Sequence, residues 1–78
     1  SNITINLEPY TRHGRQYVRI YWSGANGSNV DIYRNGSRVR TTANDGYYRD
    51  RPSGSSSYIY QVCEQGSSVC SAEATANF

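Results

Sequence analysis

Apolar residues occupy every second position in two stretches near the start of this chain, first Ile3, Ile5 and Leu7, then Val18, Ile20 and Trp22. A pleated strand needs that period to bury one face, whereas a helix would need a spacing of three to four. Further runs at Val30 and Ile32, around Val39, at Tyr47 and Tyr48, at Tyr58, Tyr60 and Val62, and across residues 69–78 bring the expectation to about seven strands. The separators agree. Asn35-Gly36 lies between residues 29–34 and 37–42, and both residue types accept the positive φ of a two-residue hairpin turn. Residues 24–28, 44–46 and 52–57 are rich in Gly, Ser, Asn and Asp and read as loops, and no stretch has helical length and period. With no internal repeat, residues 1–78 are expected to form a single all-β domain, a two-sheet sandwich of about seven antiparallel strands.

Length limits function as well as fold. A chain of 78 residues buries too little surface for a deep, enclosed active site. Tyr supplies eight of the aromatic residues and all eight basic residues are Arg, so the expected surface is tyrosine-faced and wet. The formal net charge of +2 does not by itself require a polyanionic partner. No segment reaches the ~20 apolar residues of a membrane helix, and residues 1–7 lack the basic start and apolar run of a signal peptide. We therefore expect a soluble chain excised from a longer one.

Cys63 and Cys70 bracket a six-residue stretch containing Gly66, which suits a hairpin between the last two strands. A disulfide there would contribute about 2.5 kcal/mol through loop closure and would imply an oxidising compartment. A metal pair or a redox dithiol is the alternative, against which stand the absent CxxC spacing and His13 as the only other soft ligand.

The blocks Tyr21-Trp22-Ser23-Gly24-Ala25, Val30-Asp31-Ile32-Tyr33-Arg34-Asn35-Gly36, Tyr58-Ile59-Tyr60-Gln61-Val62-Cys63-Glu64 and Cys70-Ser71 fall in one order along residues 3–78. In that order they resemble the small fibronectin type III-like modules of secreted bacterial hydrolases, especially those at the C-terminal ends of subtilisin-like serine proteases. The resemblance implies an immunoglobulin-like sandwich, a non-catalytic accessory role and a secreted location. It also implies a buried core Trp at Trp22, a hydroxyl at Tyr58 that ties a loop to the sheet, and Tyr48 turned inward. Arg12, Arg15, Arg19 and Arg40 depart from the pattern.

The inventory for catalysis is thin. A nucleophile needs a base and the base an orienting group, yet His13 is the sole histidine and reads as a solvated loop residue. Asn44, Asp45 and Asp50 lack the alternation of a calcium loop and are expected to cap a turn and pair at the surface. We predict neither metal nor cofactor, and no phosphate-binding glycine loop is present. Asn2, Asn26 and Asn35 begin glycosylation sequons, which the bacterial resemblance makes idle.

The surface remains. If Val18, Ile20 and Trp22 face inward, then Tyr17, Arg19 and Tyr21 face outward, and with Tyr48 inward, Tyr47 and Arg49 join them in a candidate binding face. Such a face can stack on sugar rings or peptide planes, although cross-strand Tyr and Arg pairs also stabilise a sheet without any ligand. Asp31 and Tyr33 are expected to pair with Arg38 and Arg40 on a solvated face across the Asn35-Gly36 turn. The expected function is therefore an accessory module, acting as spacer, stability element or docking surface. Its partner would be the catalytic domain of its parent, or an extracellular protein or polysaccharide polymer. A carbohydrate or cell-surface binding module is the alternative, and binding to single-stranded nucleic acid is the weakest reading. We expect a monomer whose first and last strands are sheet edges.

Overall fold

The alternating stretches become strands in the computed structural model, which describes residues 3–78; the Asn2 sequon lies outside them. The strands are β1 (Thr4–Arg12), β2 (Arg15–Ser23), β3 (Asn29–Arg34), β4 (Ser37–Ala43), β5 (Tyr47–Asp50), β6 (Ser57–Glu64) and β7 (Ala74–Asn77), and no helix occurs among the described residues. They form two antiparallel sheets, one ordered β1-β2-β5 and the other β4-β3-β6-β7. Ile3, Val18, Ile20 and Trp22 from the first side meet Val30, Ile32, Tyr58, Tyr60, Val62 and Ala76 from the second in one buried cluster, with Tyr48 packed against it. Each of these is the inward member of an alternating pair, so the sequence period and the core are the same fact seen twice.

Two hairpins use paired left-handed residues. Asn35 and Gly36 have φ of 53° and 84°, the sense a tight two-residue turn requires. His13 and Gly14 do the same between β1 and β2, with φ of 52° and 74°. That second turn sets the register Tyr10 to Tyr17.

Where β3 meets β4 the register slips, so that Ile32 faces Arg40 and Tyr33 faces Arg38. Val39, the extra residue, packs toward the core. The expected ion pairing of Asp31 with Arg38 and Arg40 does not form. Asp31 is buried, taking a 2.6 Å hydrogen bond from the Thr41 hydroxyl and a 3.3 Å bond from the Gly66 amide. The last strand is also shorter than the run of residues 69–78 predicts. Cys70 makes only an isolated bridge to Cys63, and the Ser71 hydroxyl accepts the Val62 N–H that a continuing ladder would have bonded. The disulfide between Cys63 and Cys70 is formed.

Asp50 departs furthest from expectation, being 7% exposed rather than at the surface. Its Oδ2 accepts both the Arg34 guanidinium and the Tyr60 hydroxyl at 2.6 Å, so one carboxylate of β5 is held by two residues of the opposing sheet. Burial opposes the charge of Arg34, but its hydrogen bond to Asp50 and the carboxylate's charge outweigh this and raise its pKa. Burial first, then the same carboxylate, pushes the Tyr60 hydroxyl far above the ordinary phenol value. Trp22 is fixed at the far end of the core. Its Nε1 donates to Asn44 Oδ1 at 2.8 Å, and Asn44 Nδ2 in turn holds the carbonyls of Ala25 and Gly27. Gly46 lies so close to Trp22 that a Cβ there would meet its carbonyl oxygen at 3.3 Å.

Two outcomes follow from the Asp50 network. Asp50→Ala leaves a partly buried guanidinium and a buried hydroxyl unpaired, and urea unfolding should lose about 3 to 5 kcal/mol. Because the folded-state pKa of Tyr60 lies above its unfolded value of about 10, the stability it confers is whole below that pH and is lost as pH rises past it, by about 1.4 kcal/mol per unit. Alkaline unfolding curves should show that limb, and Tyr60→Phe should flatten it.

Candidate functional site

The outer face of β1-β2-β5 gathers every residue expected there. Register sets Tyr21 opposite Tyr47 and Arg19 opposite Arg49, while Tyr17 lies two positions along β2 from Arg19. Tyr21 and Tyr47 are 39% and 40% exposed, and their rings tilt together at 5.3 Å between centroids. Two arginines directly opposite would repel, and the side chains avoid this by turning apart. Arg19 reaches to β1, bonding Glu8 at 2.8 Å and lying 4.6 Å over the Tyr10 ring. Arg49 lies 5.1 Å over the ring of Tyr17. The hydrogen bond that Arg19 donates to Glu8 leads the effects that raise the Arg19 pKa, and its positive charge is permanent.

Tyr10 completes the surface. Its ring stacks on Tyr17 at 5.2 Å with only 13° between planes, so Glu8, Arg19, Tyr10, Tyr17 and Arg49 form one connected run. Sequence reasoning passed over both Tyr10 and Glu8. The signal was present, because alternation from Ile5 and Leu7 turns Glu8 and Tyr10 outward, and a two-residue turn at His13-Gly14 sets Tyr10 against Tyr17. Face residues thus hold one another in place.

Elsewhere the expected anchors take their places. The Tyr58 hydroxyl accepts the Ser55 N–H at 2.9 Å and lies 2.6 Å from Gln16 Oε1, tying the β5–β6 loop to β2. Asn44 clamps Trp22 and Asp45 caps its turn by accepting the Tyr47 N–H. His13 stands exposed at the tip of the first hairpin. Among the described residues no three His, Cys, Asp or Glu side chains gather as a metal cluster, and no helix is long and apolar enough to cross a membrane.

The geometry defines a small two-sheet β domain with a pre-ordered tyrosine and arginine surface. No family model, curated protein or solved structure matches this chain.

If Tyr10 is the hub of the run, Tyr10→Ala removes a ring pair and a guanidinium platform together. Thermal unfolding should report a loss of about 1 kcal/mol with the sheet otherwise intact.

Proposed function

We propose that this chain is a non-catalytic accessory domain of fibronectin type III kind from a secreted bacterial hydrolase, in the manner of subtilisin-like serine proteases. It docks through the outer face of β1-β2-β5 onto the parent's catalytic domain or an extracellular protein polymer. The observation that carries the reading is the face itself. Tyr21 and Tyr47 keep about two fifths of their surface in water although the core has room for other tyrosines, and Tyr10, Tyr17, Arg19 and Arg49 form a stacked run beside them. Large exposed aromatics beside arginine are the composition of interface centres rather than of plain surface. The strand orders β1-β2-β5 and β4-β3-β6-β7 and the loop tie of Tyr58 support the fibronectin type III reading. The Cys63–Cys70 disulfide is consistent with an extracellular location.

A second reading makes the face a carbohydrate or cell-surface binder, favoured by the exposed Tyr21 and Tyr47 rings, against which a sugar can stack. Retention on insoluble collagen and on insoluble chitin separates the two. Docking on a protein polymer predicts retention on collagen that falls about tenfold in Tyr21→Ala/Tyr47→Ala, in keeping with the weight of aromatic anchors. Retention on chitin alone, with the same loss, favours the second reading. Retention that ignores both tyrosines removes the face from either.

A further inference from the structure

The two ends of the molecule carry opposite charge. Strand directions put the β1–β2 turn, the β3–β4 turn and the β5–β6 loop at one end, and the β2–β3, β4–β5 and disulfide loops at the other. The first end holds Arg12, His13, Arg15, Arg34, Arg38 and Arg51, and its acid, Asp50, is taken up by Arg34. Asp31, Asp45 and Glu64 lie at the second, with no arginine. A net charge of +2 therefore hides a strongly polar molecule.

A groove of about 590 Å³ opens at the basic end, between the His13-Gly14 hairpin and the β5–β6 loop. Gly14, Arg15 and Gln16 line one wall, Arg51, Pro52 and Ser55 the other. Its walls are braced, since Gln16 Nε2 donates to the Ser55 carbonyl at 2.7 Å and the Tyr58 hydroxyl accepts the Ser55 N–H behind them. Among the described residues neither Arg15 nor Arg51 has a carboxylate within ion-pair reach. Two arginines without a carboxylate partner, one on each wall, thus line a braced polar cleft at the basic end, where positive charge concentrates anions.

We propose that this groove binds an acidic polysaccharide, with Arg15 and Arg51 holding the carboxylates of uronate-type sugars. The volume falls within the range of roughly 300 to 1,000 Å³ that accommodates a small ligand, enough for one or two sugar rings. The lining decides between polyanions. Pro52 is buried, and the other walls are glycine, serine, glutamine and arginine, which suit a ligand covered in hydroxyls and offer no apolar socket for a peptide side chain. The site is separate from the tyrosine face and does not depend on its role.

Calorimetric titration of the chain with tetragalacturonate, at low salt where charge is least screened, tests the site. Binding should occur, disappear with the methyl ester, and weaken about tenfold for each guanidinium removed in Arg15→Ala and Arg51→Ala. Both arginines are exposed, so circular dichroism should report an unchanged fold. Tyr21→Ala/Tyr47→Ala should leave this affinity within about twofold, which separates the groove from the face. The proposal is overturned if tetragalacturonate does not bind or if the double arginine variant binds as well as the parent. It is also overturned if polyglutamate of equal charge binds more tightly, which would make the groove a site for acidic peptides.

Discussion

One carboxylate joins the two halves of this fold. Asp50 ends the short strand β5, yet its Oδ2 is shared by Arg34 on β3 and Tyr60 on β6, so the sheets are fixed to each other by direction as well as by apolar contact. Hydrophobic burial alone is tolerant of sliding, because Val18, Ile20, Val30, Ile32 and Val62 present similar aliphatic surfaces. A charge buried with two partners has no such tolerance, since any shift leaves it unsatisfied. The position of β5 fixed in this way is also what holds Tyr47 and Arg49 beside Tyr21 and Tyr17, linking the interior network to the outer face.

Much of this was legible in the residues. Period two named the inward residues of β1, β2, β3 and β6, and Asn35-Gly36 named a hairpin because few other pairs accept that backbone. The outward tyrosines and arginines followed from the same period, and the spacing of Cys63 and Cys70 suited the pairing observed. What escaped was whatever depends on two distant segments meeting. Asp50 looked like a surface acid because nothing near it in sequence is a partner, and Arg34 and Tyr60 reach it only once the sheets close. Asp31 was misjudged for a related reason. Its partners Thr41 and Gly66 come from the bulged β4 and the disulfide loop, neither of which has a periodic signature. Tyr10 was missed because its place on the face depends on the hairpin register across His13-Gly14, a weaker turn signal than Asn35-Gly36.

The surface is organised by the same economy. Arg19 and Arg49 are forced apart by lying opposite one another, and each finds an aromatic ring in turning away. Repulsion between like charges thereby orders the tyrosines, giving a surface whose side chains have already lost part of the freedom that binding would otherwise cost.

The open flanks of the sheets carry a separate consequence. β5 and β7 are four residues each, β4 is bulged and carries Arg38 and Arg40, and β1, the longest flank, has Pro9 midway, where no amide hydrogen exists to donate. None offers the long, flat, uncharged ribbon on which cross-β growth is templated. A domain edged this way can be held at high local density on a surface or polymer while resisting conversion into fibrils.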